Sequence, residues 1–517
     1  MNNIVYRISK NLNSNMLMRS TVNMLKASSA LILIVIFFTD CSNKDTATDI
    51  EGLWVTTEES SHLFLPGAQE VALLISRDST ELLTARGFFM NNGEFRYEWE
   101  FTRVQYDNDA RRISILDSDS DTLILSLSAE NEALEGAIHV QDHADLQIGF
   151  VRADKDLEIR LFHPRAPDEH GGYSYSYKKP EQIQDGLNTE SVDSYITDSS
   201  SISNLIKDII DQKYGSIKSL LILKDNKLLV EEYFYGYSRN EPQQIRSCTK
   251  SVTSIMLGIA LDHHKEVHTG ESIFTFFPDY DSLKTDGRER ITLEHVLTMM
   301  SGYQWDDIPG EMFGADDCFQ YILSRPLETE PGEKFNYNSG CSILLGGVIS
   351  YLENIDTRVF AEEFLFAPLG ITDYIWETHK DGTLQCGSGL SLRPRDMAKI
   401  GLLVLNDGTW ENKQLVSKEW IRESTKPHVH ESKYFDYGYQ WWHRSRNTLQ
   451  WWKEPNTASP EEHDLITALG HGGQYIMIIR DLGLVVVTTA KDFEDGRVAR
   501  SKIPMVIEEI IPIFEGI

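Results

Sequence analysis

Between Gly52 and Arg152 apolar and polar residues alternate in short runs: VALLISR, TELLTARGFFM, EFRYEWEFTRVQY, RRISILD, DTLILSLS and ALEGAIHV. A period of two puts successive side chains on opposite faces, and the Asn-Gly and Asp-Ser clusters between the runs supply turns. The pattern predicts a small all-β barrel or sandwich over 48–153. Over 154–201 the alternation gives way to a polar stretch with Tyr and Pro, which reads as a linker. Periodicity returns in LLILKDNKLLVEEYFYGY, two apolar strands folded about Asp225-Asn226. Next, in IRSCTKSVTSIMLGIALD, Val252, Ile255, Met256 and Ile259 recur at helical spacing and predict an amphipathic helix against the core. Mainly helical sequence follows until IMIIRDLGLVVVTTA forms a second hairpin at Asp481-Leu482-Gly483, ahead of a C-terminal helix. Strands at both ends with helices between predict an α/β (α+β) domain over 202–517: an antiparallel sheet, flanking helices and a helical subdomain.

The N-terminal pattern is different. Ser28–Phe38 (SSALILIVIFF) is a short apolar run preceded by Lys26. It is too short for a comfortable membrane span and fits the apolar region of an export signal. Met1 and Met24 are alternative starts, and either signal ends at Cys41, before the polar tether SNKDTATD. Cys41 resembles the lipidated cysteine of bacterial lipoproteins, although Asp40 stands where a small residue is expected. Plain cleavage and an uncleaved anchor stay open beside it. The reading is a signal over 1–41 and a lipid-anchored protein of the bacterial cell envelope, periplasmic or at the surface.

With 517 residues the chain needs more than one core. Its net charge of -30 excludes a phosphate-tracking groove, so nucleic acid is not an expected partner. Cys248, Cys318, Cys341 and Cys386 are spaced neither as zinc ligands nor as a disulfide framework.

Candidate chemistry begins at Ser247 and Lys250, one helical turn apart at the start of the apolar pattern. Serine is a poor nucleophile until a base takes its proton. A lysine three residues on shares its helical face, and burial lowers the cost of its neutral form. The same spacing recurs at Ser176 and Lys179, where Gly, Tyr and Pro180 disfavour a helix, so that copy reads as chance. Standing alone, Ser247 would read as a helix cap and Lys250 as a first-turn lysine. Cys248 is a rival nucleophile by position, yet one residue along a helix turns it off the Ser247–Lys250 face, so it reads as packing. Tyr337 lies in the turn FNYNSG before a new apolar helix; near a buried ammonium a phenol ionises more readily. His471-Gly472-Gly473-Gln474 immediately precedes a strand, where glycines allow close backbone approach and an N–H can face an oxyanion.

The order SCTK, YNS, HGG resembles the class C β-lactamase-like serine hydrolases, which include D-alanyl-D-alanine peptidases, esterases and 6-aminohexanoate-dimer hydrolases. Supporting text runs from about Tyr177 to Ile511, including LTMMSGYQW, FAPLGI, GSGLSLRPRDMAKIGLLVLNDGTW, YGYQWW and GHGGQYI. The resemblance implies a β-lactamase/transpeptidase-like fold. It implies that Ser247 is acylated, that Lys250 polarises it, and that Tyr337 moves protons to and from the leaving group and water. It pairs the N–H groups of Ser247 and Gln474 as the oxyanion hole and puts His471, where many members have lysine, with Gly472 and Gly473 against the substrate. The acylation base is assigned jointly to Lys250 and Tyr337. Ser339 replaces the asparagine of the usual Tyr-x-Asn. That points away from efficient β-lactam hydrolysis and toward a peptide, amide or ester, with no cofactor.

Other patterns carry less. His264 with His268, and His428 with His430, lack a convergent third ligand, so no metal site is expected. Lys284-Thr285-Asp286 mimics a lysine-type third motif out of order and without a following strand. Trp441 or Trp442 is a candidate cleft wall. Gly52-Leu53-Trp54 and Phe150-Val151-Arg152 are similar to the ends of lipocalin-like barrels, although a spacer role is favoured for that domain. The rival to an exported hydrolase of a small-molecule or peptide substrate is a catalytically idle relative that binds or senses in the envelope.

Overall fold

The computed structural model describes residues 52–56, 70–77, 83–91, 94–101, 104–107, 110–116, 122–128, 133–139, 146–153, 164, 175–306, 312–445, 463–493 and 496–515. The chain divides into two compact units, Met1–Tyr173 and Ser174–Ile517. Ser28–Phe38 and Cys41 lie outside the described residues. Among the described residues no helix is long and apolar enough to cross a membrane.

The first unit holds β1 (Gly52–Thr56), β2 (Glu70–Arg77), β3 (Leu83–Asn91), β4 (Glu94–Phe101), β5 (Val104–Asp107), β6 (Arg112–Leu116), β7 (Thr122–Leu127), β8 (Ala133–His139) and β9 (Leu146–Arg152). They form one sheet in the order β4-β3-β2-β1-β9-β8-β7-β6-β5. Alternation gives it a buried face: Leu125 and Leu127 on β7, Ile148 and Phe150 on β9. The outermost strands in sequence, β1 and β9, pair antiparallel with Trp54 opposite Arg152. Trp54 is fully buried, and the Arg152 guanidinium sits 4.3 Å from its ring centre.

In the second unit the strands are β10 (Asn188–Thr189), β11 (Ile217–Lys224), β12 (Lys227–Tyr233), β13 (Gln243–Gln244), β14 (Tyr374–Trp376), β15 (Leu390–Leu392), β16 (Thr409–Trp410) and β17 (Lys413–Gln414). They continue with β18 (Val429–His430), β19 (Asp436–Tyr437), β20 (Trp442–Arg444), β21 (Leu465–Gly470), β22 (Gln474–Ile479) and β23 (Leu484–Ala490). The main sheet runs β10-β12-β11-β23-β22-β21-β20-β19-β18, so the two sequence-predicted hairpins meet where β11 pairs with β23. Asp225 and Asn226 both take positive φ, 49° and 65°, as a two-residue turn matched to strand twist requires. β13, β15 and β14 form a small separate sheet.

Four helices matter for the site: α1 (Ser200–Ile210), α2 (Cys248–His263), α3 (Ser339–Glu353) and α4 (Pro394–Leu405). α2 packs on α3 and on β21, whereas α4 covers β22 and β23. The sequence predicts an apolar stripe that buries α2, and every residue from Cys248 to Ala260 is buried. A helix enclosed all round is a core element. Its polar side chains are tolerated there because they are hydrogen-bonded: Ser251 Oγ to Gln440 O at 2.7 Å, Thr253 Oγ1 to Thr249 O at 3.0 Å and Cys386 O at 2.9 Å.

The polar stretch before α1 is fastened to this unit by charge. Arg395 on α4 bonds Glu231 through both Nε (2.7 Å) and Nη2 (2.6 Å), Asp185 through Nη1 (3.0 Å) and the Glu181 carbonyl (2.9 Å). The Tyr177 hydroxyl donates to Leu229 O and accepts from Val192 N.

Candidate active site

Ser247 stands immediately before α2, in the N-cap position, yet its hydroxyl caps no backbone amide of the helix. Instead Lys250 Nζ lies 3.2 Å from Ser247 Oγ. Three backbone turns tighten this corner: Cys248 N to Ile245 O, Thr249 N to Arg246 O and Lys250 N to Ser247 O. Arg246 takes a left-handed φ of 54° to make the corner, a conformation that costs a non-glycine residue on the order of 1 kcal/mol. Its guanidinium rests over the Phe493 ring at 5.0 Å.

Lys250 is 1 % exposed. Besides Ser247 it donates to Gly387 O at 2.6 Å and to Ser339 Oγ at 3.1 Å. Its Nζ also sits 4.9 Å from the centre of the Tyr337 ring. The second and third residues of YNS thus divide two tasks. Asn338 Oδ1 caps α3 by accepting from Cys341 N at 3.3 Å, while Ser339 faces the lysine. Tyr337 is half-buried and stacked on Trp442, 5.8 Å between centres at 28°. Of the two tryptophans considered from sequence, Trp442 is the one beside Tyr337; Trp441 is fully buried.

The third motif is the turn from β21 to β22. Gly472 (φ 82°) and Gly473 (φ 89°) are both left-handed, and a Cβ on Gly472 would stand 2.3 Å from the Phe493 ring. His471 is exposed; its Nε2 is 3.0 Å from Phe493 O and its ring edges against Phe493. The Gln474 side chain turns inward, donating to Ala490 O and accepting from Ala490 N at 3.2 Å. Its backbone is tied to the corner that holds Ser247: Cys248 Sγ lies 3.1 Å from Gln474 O and 3.3 Å from Ala468 O. Burial pushes the Cys248 thiol far above its ordinary range, so it stays protonated and donates. Ser247, Lys250, Tyr337 and Ser339 are thus gathered around one amine, and Cys248 bridges the corner to Gln474.

Sequence reasoning missed the wall behind the lysine. Three consecutive carbonyls of the 386–388 segment meet α2: Cys386 O takes Thr253 Oγ1, Gly387 O takes Lys250 Nζ, and Ser388 O takes Thr249 Oγ1 at 2.8 Å. Gln440 was missed too. Its buried amide accepts from Ser342 Oγ at 2.6 Å on α3 and donates to Leu297 O at 2.8 Å, while its carbonyl takes Ser251 on α2. Backbone acceptors leave no trace in side-chain type; the one signal was the Gln set among aromatics in YGYQWW. Ser176 and Lys179, the other Ser-x-x-Lys pair, are exposed and not helical.

The chain resembles known proteins over part of its length. A D-alanyl-D-alanine carboxypeptidase by name, from Salmonella agona (strain SL483), is 23% identical over 215 residues, 36% of this chain and 49% of its own. The chain therefore spans about half the length of the curated relatives it matches. A solved protein from Bacteroides dorei DSM 17855, named as a β-lactamase, aligns with a TM-score of 0.50 at 17% identity, over 62% of this chain and 99% of its own. One named as a 6-aminohexanoate-dimer hydrolase, from Bacillus anthracis, gives 0.49 at 18% identity, over 60% of this chain and 82% of its own. The Bacteroides likeness shows a shared fold. The β-lactamase family model, described as Beta-lactamase, matches residues 206–506, more than half of the chain. With that match spanning the serine, the tyrosine and the glycine turn, the chain belongs to the β-lactamase family, a family of serine hydrolases.

Proposed function

We propose that this protein is an exported serine hydrolase that forms an acyl-enzyme on Ser247 and acts on an amide, peptide or ester. The observation that carries the reading is the Lys250 amine, buried and 3.2 Å from a serine hydroxyl that does no capping. Lys250 and Tyr337 together take the Ser247 proton, and Tyr337 later serves the attacking water. The N–H groups of Ser247 and Gln474 receive the oxyanion, an assignment supported by the Cys248 bridge between their neighbourhoods. Gly472 and Gly473 shape that turn, and His471 stands at its exposed rim as a substrate contact. Trp442 and Tyr337 offer an aromatic wall.

The carboxypeptidase-named relatives favour a peptide over a β-lactam, and Ser339 agrees with them. Export rests on the Ser28–Phe38 run and a lipid anchor on Cys41. The all-β domain over 48–153 is a spacer between that anchor and the hydrolase.

A panel of p-nitrophenyl esters, D-amino-acid peptides, short amide oligomers and nitrocefin tests the reading. Turnover of an ester or amide that disappears in Ser247→Ala is expected. Turnover that survives in Ser247→Ala, or a wild-type protein inert to the whole panel, overturns it in favour of a binding protein.

A further inference from the structure

Beneath the glycine turn lies a buried ion pair. The Lys502 ammonium, at the start of the short helix Lys502–Met505, is paired with the carboxylate of Asp492, two residues beyond β23. The lysine side chain is fully buried and the aspartate side chain 7 % exposed. Each has a further partner: Ser216 N donates to Asp492 Oδ1 at 2.9 Å, and Lys502 Nζ donates to Val498 O at 3.1 Å.

The pair meets the turn at two places. Asp492 N donates to Gly472 O at 3.1 Å. A Cβ on Gly473 would stand 3.0 Å from Lys502 Cε and 3.3 Å from its Nζ, so the lysine lies directly against the turn backbone. From the other side Thr488 Oγ1 holds the Gly473 carbonyl at 3.0 Å, and the next residue along is Gln474. Stability alone does not account for two charges here. Taking them out of water costs about as much as their attraction returns, and an uncharged pair of similar volume often serves a core as well. What the ion pair adds is direction. The carboxylate is pinned between Lys502 and the Ser216 amide, and the N–H of the same residue then points at Gly472.

We propose that Asp492 and Lys502 are positioning residues for the oxyanion hole, fixing the Gly472–Gly473 turn so that the Gln474 N–H meets the oxyanion. The proposal rests on the acyl-enzyme reading above, with Gln474 as one of the two donors. Buried as they are, neither side chain reaches substrate. Both act through the turn backbone, so they matter most at the tetrahedral adduct, where the negative charge is developed.

The test is the full-length double variant Asp492→Asn/Lys502→Met, which removes both charges with little change in volume and keeps an acceptor for Ser216 N. Turnover of p-nitrophenyl butyrate is normalised to the Ser247 sites that a fluorophosphonate titrates, so that only folded molecules count. Titrated kcat is expected to fall about 10-fold, less than the loss of an oxyanion donor outright, with KM changed by less than about twofold. The affinity for phenylboronic acid, whose tetrahedral adduct places a charged oxygen in the hole, is expected to fall by the same factor. Each single variant is expected to fall at least as far, because it leaves one charge buried without its partner. A double variant with wild-type titrated kcat, a loss confined to KM, or unchanged boronate affinity each overturn the proposal. Failure of the acyl-enzyme reading looks different: wild-type Ser247 would then resist the fluorophosphonate altogether.

Discussion

At the residue scale the site depends on groups that would be inert elsewhere. Cys248 is such a group. A thiol beside Ser247 invites a redox or catalytic role, yet its elevated pKa and its two carbonyl partners make it a fixed donor. It joins the corner that presents Ser247 to the strand that presents Gln474. Cys248→Ser keeps a donor of similar size and is expected to retain most activity. Cys248→Ala is expected to lower kcat about 3- to 10-fold with KM little changed, as loosened oxyanion geometry would. Steady-state kinetics on the two variants decide it; equal effects, or a change confined to KM, count against a positioning role. Lys250→Met keeps the volume and removes the amine. Loss of about a thousandfold in kcat and of the basic limb of the pH–rate profile is expected. A limb that persists at the same pH assigns it to another group.

At the scale of elements, α2 shows how much the pattern could tell. Val252, Ile255, Met256 and Ile259 marked the helix, and the apolar stripe was enough to place Ser247 and Lys250 on one turn. What the stripe did not tell is that the polar side is buried as well. Thr249, Ser251 and Thr253 find their partners in carbonyls of residues 246, 249, 386, 388 and 440. Long-range backbone acceptors have no sequence signature, so burial of this face was illegible. The hairpins fared better because their turns are chemical: Asp-Asn and Gly483 sit at the left-handed positions. Gly258 gives an element-scale prediction. A Cβ there would meet the Trp420 indole at 2.1 Å, and the indole Nε1 is held by Ser254 O at 2.9 Å. Gly258→Ala is expected to destabilise the hydrolase unit by about 1–3 kcal/mol through overpacking, despite the better helix propensity of alanine. Chemical denaturation measures this, and a stabilised variant would show that Trp420 moves aside freely.

At the scale of the whole molecule, the family and its sheet were readable from three short motifs in order, because each motif fixes a corner of one site. The tie between residues 175–199 and the rest was not. It runs through Arg395, Glu231 and Asp185, charges that look like solvated surface in sequence. Lys218 is a similar case. Burial, then the nearby Arg246 charge, lowers its pKa to about 8, with Glu241 and Asp492 pulling the other way and the Tyr237 ring 4.8 Å from its amine. A lysine depressed on folding destabilises the protein fully below pH 8, and the penalty fades as pH rises toward the unfolded value near 10.5. Lys218→Met is therefore expected to raise the melting temperature by several degrees at pH 7 and to lose that advantage by pH 10. A difference independent of pH would assign the effect to packing instead. The central claim, that Ser247 is acylated with help from Lys250, is tested most directly by intact mass of the full chain after exposure to a fluorophosphonate. One adduct per chain is expected, mapping to the peptide that contains Ser247, absent in Ser247→Ala and formed far more slowly in Lys250→Met. An adduct on another residue, or equal labelling of wild type and Ser247→Ala, would contradict it.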